Sequence, residues 1–262
     1  MKNFHVPLFD ANSHPTVGGG WSSKGLDSSF AALSTGLRQN GYRGACAVGV
    51  WGMEDYSHEA FHKLCRRYEN LLPIAGYFPR TASGAARELA ALKKMGYRGA
   101  KIHPREPRIN LRDPRLVRTF QAAAKLEFPL FLCTYHHSKF PGYPIEDPFF
   151  DTARLLQKAP GARVVLMHGG DVNLLRYAEL ARFNPNLLLD LSMTILKYRG
   201  SSLDLDMRFL LERFDRRICV GTDFPEYTHL EVRDRFAELS KGIARDKAEN
   251  AGFRNIERFL GI

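Results

Sequence analysis

Short apolar runs recur along this chain, each followed by a longer stretch with a helical pattern. The runs are Phe4 to Phe9, Ala45 to Val50, Leu72 to Phe78, Gly99 to His103, Pro129 to Thr134, Arg163 to Met167, Leu187 to Leu191 and Arg217 to Gly221. Near-continuous apolarity is what a parallel strand shows, because both of its faces are covered. Helices are predicted over Ser28 to about Gln39, Ser57 to Glu69, Ser83 to Met95, Asp113 to Lys125, Asp147 to Lys158, Asp171 to Phe183 and Ser202 to Arg213. Two more follow, near Glu231 to Gly242 and Asp246 to Phe259. Local signals support the boundaries. Ser57 caps its helix with Glu59 in the first turn, Gly96 and Pro160-Gly161 stop theirs, and Asp171 is placed to cap the helix after strand six. Strand and helix alternate at the roughly thirty-residue repeat of a βαβ unit. The reading is α/β, a single (β/α)8 TIM barrel over residues 1–262, with an open doubly wound sheet as the competing topology. In either, ligands bind at the C-terminal ends of the strands.

Composition narrows the partners. With 262 residues, 44% hydrophobic and 25% charged, the chain has the balance of one large globular domain. The formal charge of +10 raises nucleic acid, but no run of five basic residues occurs. The aromatics are mostly Phe inside apolar runs, where they read as core. A small anionic substrate accounts for the charge more economically; nucleic acid and membrane are not expected partners, and a homodimer is left open. The four cysteines are far apart and three lie in apolar runs, which points to a reducing compartment. Met1 to Pro7 lacks a signal-peptide apolar region, so the expected location is cytoplasmic.

The chemistry gathers at the ends of the strands. In Gly221-Thr222-Asp223-Phe224-Pro225 the apolar run stops and the X-Pro step blocks a smooth entry into helix, leaving Asp223 just past the tip. Alone, Asp223 has a second reading, as a cap for the next helix, the weaker of the two. The matching ends of other strands add Asp10, Asn12 and His14, then Lys101 and His103, then Tyr135, His136 and His137, and then His168. A lone His at a strand tip is commonly structural; several at matching ends point to one site. Arg80, Arg105, Arg108, Lys139, Lys197 and Arg199 follow other strands, either as a solvated rim or as clamps for a carboxylate or phosphate.

The motifs D-x-N-x-H after strand one, G-x-x-G-x-K-I-H-P at strand four, V-V-L-M-H-G-G at strand six and G-T-D-F-P at strand eight resemble the amidohydrolase superfamily. The likeness is to the amidohydrolase-related branch of lactonases and decarboxylases, and it runs on to Glu249-Asn250-Ala251. It implies one or two divalent metals, zinc foremost, that activate a water, with His14, His168 and Asp223 as the ligand set. Two positions depart from the family pattern: Asn12 and Cys133 stand where it has His. A thiolate can ligate zinc, but Cys133 lies in an apolar run and reads as an inert thiol; His136 or His137 is an alternative donor. Some lactonases of the superfamily work without metal. The expected activity is hydrolysis of a lactone, ester or amide bond in a small anionic metabolite. Asp223 is the base, His168 and His14 orient water or polarise the carbonyl, and Lys101 stabilises the oxyanion. Asn12, His103, Arg105, Tyr135, His136, Arg80 and Lys197 are the expected substrate contacts. A non-oxidative decarboxylase and a non-catalytic sugar- or metabolite-binding barrel are the alternatives.

Overall fold

The computed structural model describes residues 6–21, 25–53, 55–105, 109–136 and 147–262. Eight strands make its centre: β1 (Leu8–Ser13), β2 (Tyr42–Val48), β3 (Leu71–Gly76), β4 (Gly99–Ile102), β5 (Leu130–Cys133), β6 (Val164–Met167), β7 (Leu187–Asp190) and β8 (Ile218–Cys219). They pair in parallel and in chain order. The ring closes where the segment after β8 returns to β1. There Ala11 N donates to Val220 O at 3.0 Å, Asp223 N to Asn12 O at 2.8 Å and His14 N to Phe224 O at 2.7 Å. The (β/α)8 barrel is therefore the architecture, and the open sheet is not.

The helices are α1 (Phe30–Gln39), α2 (His58–Cys65), α3 (Ala85–Met95), α4 (Pro114–Lys125), α5 (Pro148–Gln157), α6 (Leu174–Arg182), α7 (Thr194–Lys197), α8 (Leu203–Arg213), α9 (His229–Leu239), α10 (Arg245–Glu249) and α11 (Asn255–Leu260). None is long and apolar enough to cross a membrane among the described residues. Successive strand residues face opposite sides, which splits the core in two. Leu130, Leu132, Val164 and Leu166 pack under the helices; Phe9, Phe131, Val165, Met167 and Leu188 fill the barrel. Lys101 lies between Ala100 and Ile102 of the outer group, so the register sends it inward. Ile256 and Leu260 of α11 join the inner group, while Asn255 Nδ2 bonds Ile218 O at the start of β8. That helix closes the end of the barrel opposite the strand tips.

Several boundaries differ from the sequence reading. Strand one runs over Leu8–Ser13 and not Phe4 to Phe9 (residues 1–5 lie outside those described). Its polar end can be strand because Asp10 is satisfied inside the wall: it accepts from Thr222 N at 2.8 Å, Asn12 N at 3.0 Å and Ser13 Oγ at 2.6 Å. Asp171 does not cap α6. That helix starts at Leu174, and Asp171 stands at φ 59° and ψ −122° with Lys197 Nζ 3.6 Å from its carboxylate. The helix after strand eight begins at His229 under a capping box of Thr228 and Glu231. A π turn over Asn250–Arg254 interrupts the last predicted helix. Ser57 and Gly96 cap as expected, Gly96 at φ 106°, and Asp113 caps α4.

Candidate active site

The barrel mouth opens into a cavity of about 610 Å³, within the usual range for a small ligand. His14, Lys101, His103, Arg105, Tyr135, His168 and Asp223 all line it, so residues from β1, β4, β5, β6 and β8 converge as the strand-tip argument requires. Asp223 is no helix cap, since Thr228 has that role. Both Asp223 (φ 59°) and His168 (φ 64°) occupy the left-handed region, which side chains other than glycine adopt at a cost of order 1–3 kcal/mol. The strain points both side chains at the cavity from the strand ends.

Proton positions follow from the partners. His14 Nδ1 lies 2.9 Å from Val48 O, which can only accept, so this nitrogen carries hydrogen. Its Nε2 faces Lys101 Nζ at 2.9 Å and Asp223 Oδ1 at 3.4 Å. Burial and the neighbouring Lys101 charge lower His14, which fits a neutral ring whose Nε2 lone pair accepts from Lys101. Burial also lowers Lys101 from its ordinary value, against the pull of Cys133 and Asp223. Asn12 Nδ2 donates to Asp223 Oδ1 at 2.9 Å. Burial alone would raise Asp223, yet the charge on His168, helped by His14 and Lys101, holds it well below the usual carboxylate range. His168 shows the reciprocal effect. Burial would lower it, but Asp223 and Cys133 push it up to about 9.

Cys133 is buried at the end of β5, with its Sγ 3.8 Å from the Tyr135 carbonyl oxygen. Burial would raise it, but His103 and His168 beside the sulfur hold it well below its ordinary value. It sits behind the cavity wall and does not line it. Asp10 also turns away, into the β1–β8 seam, where His229 Nε2 stands 3.4 Å from its carboxylate. Of the basic rim, Arg105 lines the cavity, its guanidinium 4.8 Å from the centre of the Tyr135 ring. Arg80 is exposed and outside the lining. Lys197 covers Tyr135 at 4.1 Å and pairs with Asp171 without lining the cavity, and Arg199 pairs with Glu238 at 3.0 Å. Asn12 and His136 are buried and also outside the lining. His137, Arg108 and Lys139 lie outside the described residues.

Sequence reasoning missed a second wall. Trp21, from a short hairpin of Gly20–Trp21 with Leu26–Asp27, stacks on His14 at 5.7 Å and donates from Nε1 to Glu226 Oε1 at 2.7 Å. It also missed Asp190 and Ser192 after β7. These had the same signal as the other sites, polar residues at the end of an apolar strand.

A divalent metal fits this donor set poorly. The His14 lone pair is taken by Lys101 Nζ, Asp223 Oδ1 by the Asn12 amide, and His168 is held protonated, whereas a metal needs neutral imidazole. Among the described residues no group of three or more His, Cys, Asp or Glu side chains is arranged to hold a metal. The expected set of His14, His168 and Asp223 does meet at the mouth, but His14 Nε2 and Asp223 Oδ1 are already engaged by Lys101 and Asn12.

A barrel with its polar residues gathered on the strand tips is the architecture of an enzyme. The chain belongs to the amidohydrolase family, whose family model matches residues 50–258. No curated protein matches its sequence. Among solved structures, it is similar to an uncharacterised TIM-barrel protein from Bordetella bronchiseptica, at 18% identity and a TM-score of 0.80 over 98% of this chain and 99% of that one. It is also similar to a probable 2-pyrone-4,6-dicarboxylic acid hydrolase from Acinetobacter baumannii with citric acid bound, at 14% identity and 0.70 over 97% and 99%. A third is 5-carboxyvanillate decarboxylase from Sphingomonas paucimobilis, at 15% identity and 0.71 over 98% and 99%.

Proposed function

We propose that the protein is a hydrolase that opens a lactone or carboxylic ester bond in a small, flat, anionic metabolite, by proton chemistry and without a metal. The observation that carries this reading is the ionised Asp223 carboxylate at the cavity, opposite the donors Lys101 and His168. Trp21, Trp51, Tyr77, Phe78, Tyr135 and Tyr227 line the same cavity and suit a flat ring. Arg105 and Lys101 suit the negative charge. The hydrolase from Acinetobacter baumannii, whose name specifies a pyrone dicarboxylate, supports the substrate class.

Asp223 takes a proton from water as the water oxygen bonds to the acyl carbon. Lys101 Nζ–H and the His168 Nε2–H stabilise the charge that develops on the carbonyl oxygen. When the acyl C–O bond breaks, the proton on Asp223 passes to the leaving oxygen, so water is added across the bond. A carboxylate held so far below its ordinary value is a weak base at rest. An anionic substrate against Lys101 and Arg105 offsets the cations that depress it, and raises its basicity where it is needed.

A panel of lactones and esters beginning with 2-pyrone-4,6-dicarboxylate tests the reading. On the substrate found, Asp223→Asn should lower kcat by about 10²–10⁴, with KM moving less. A folded Asp223→Asn protein with full turnover removes Asp223 from the chemistry. Release of carbon dioxide from aromatic carboxylates, with no lactone opened, replaces the reading by decarboxylation.

A further inference from the structure

Strand β7 ends at Asp190, with Leu191 and Ser192 following it, and neither Asp190 nor Ser192 exposes any surface. Their hydrogen bonds leave little freedom. The Ser192 hydroxyl donates to Asp190 Oδ2. Asp190 also accepts from Ser192 N at 3.1 Å and from His168 N at 3.3 Å. Each Asp190 oxygen thus faces a backbone N–H, Oδ1 that of Ser192 and Oδ2 that of His168, so the carboxylate acts as an acceptor. With its one proton directed at Asp190, Ser192 Oγ offers lone pairs to its other neighbours. These are Asn12 Nδ2 at 3.0 Å and His168 Nδ1 at 3.2 Å. The Ser192 carbonyl oxygen, 3.1 Å from His168 Nδ1, is an acceptor as well.

Two consequences follow. His168 Nδ1 faces only lone pairs, so it must carry hydrogen, which leaves Nε2 for the cavity side. Asn12 Nδ2 has two hydrogens and two acceptors, Ser192 Oγ and Asp223 Oδ1 at 2.9 Å. Reversing the amide would set its oxygen against both, so its orientation is fixed too. One hydroxyl, outside the cavity lining, thus orients both the ring opposite the substrate and the amide that holds the base.

We propose that Ser192 and Asp190 are positioning residues of the active site: Asp190 directs the Ser192 hydroxyl proton away from His168, so that the hydroxyl and carbonyl oxygens of Ser192 together hold the His168 ring by its Nδ1–H, and the hydroxyl holds the amide of Asn12 against Asp223. The proposal rests on the reading of His168 and Asp223 as groups that act on substrate. A merely structural Asp190-Ser192 turn would hold the chain end of β7 and leave the tautomer alone.

The test uses the full chain labelled with ¹⁵N-histidine, without ligand. His168 is assigned by its absence in His168→Asn, and its two ring nitrogens are followed above pH 9, where the ring is neutral. In the wild type Nδ1 should carry the proton. Asp190→Asn frees the hydroxyl to donate to His168 Nδ1 and should bring in the Nε2–H tautomer. Ser192→Ala removes the hydroxyl but keeps the carbonyl acceptor at position 192, so it should keep the tautomer and lose the hold on the Asn12 amide. On the lactone identified above, kcat should fall about 10-fold to 10²-fold, the range for small misplacements, with KM little changed. A folded Asp190→Asn protein, by circular dichroism and melting, that keeps the wild-type tautomer overturns the proposal, as does a folded Ser192→Ala protein with unchanged kcat. If Ser192→Ala does not fold, the near-isosteric Asp190→Asn decides alone. A changed tautomer in a protein that opens no lactone sustains the positioning role and rejects the hydrolase instead.

Discussion

The mutual stabilisation of His168 and Asp223 should be measurable without any substrate. His168 stands at about 9 in the folded protein against an ordinary 6.5, and each pH unit of displacement is worth ~1.4 kcal/mol. The folded protein therefore holds this proton more tightly than the unfolded chain does. Its contribution, on the order of 3 kcal/mol, is complete below pH 6.5 and is lost as pH rises through about 9. Asp190, raised from 3.8 to about 6, has finished most of its own change by pH 7. Lys101 is lowered and acts in the opposite sense above its folded value, and so does Cys133, which His168 holds low. The comparison is therefore made between His168→Asn and its parent in a Cys133→Ser background, where Asp223 holds the His168 proton. His168→Asn keeps a donor toward the Ser192 carbonyl but cannot titrate. Urea unfolding at intervals from pH 7 to 10 should show the parent's stability falling relative to the variant, by up to ~3 kcal/mol. Parallel curves would mean that His168 is not held protonated, and the donor opposite the base would be lost with it.

Three further outcomes are expected. Protein purified without added metal should contain no stoichiometric zinc or manganese, and chelation should leave turnover intact; activity that is lost on chelation and regained with either ion would refute the metal-free chemistry. Arg105→Ala should raise KM by about 10-fold to 10²-fold and kcat should change less, as for loss of a charge-assisted contact made equally in ground and transition states. Arg80→Ala, a substitution outside the cavity, should leave both constants unchanged, and an equal loss there would mean that the substrate extends over the rim.

Much of the barrel was legible because each parallel strand, covered on both faces, leaves a short apolar run ended by Gly, Pro or a polar residue. His14, Lys101, His168 and Asp223 were legible for a related reason: ionisable side chains just past such runs stand out against an apolar background. What failed was polar structure satisfied by distant partners. Asp10 and Asn12 read as loop because nothing nearby shows that Thr222, Ser192 and Asp223 will complete their hydrogen bonds. Asp171 looked like a cap from its spacing, but two positive-φ glycines before it turn the chain away from helix. The surroundings of Cys133 were not legible either, because apolar sequence neighbours say nothing about His103 and His168, which reach it across strands.

The base sits on the barrel's closing seam. Asp223 meets its Asn12 partner across 211 residues of chain, and Thr222 meets Asp10 across 212. Contacts of such separation form late, because ordering the intervening chain must precede them. A partly folded chain with seven strands in place would have a cavity wall, Lys101 and His168, but no seated carboxylate. Turnover is thus a reporter of ring closure: during refolding it should lag the recovery of helix, and local opening at the seam would silence the enzyme while most of its core stayed packed.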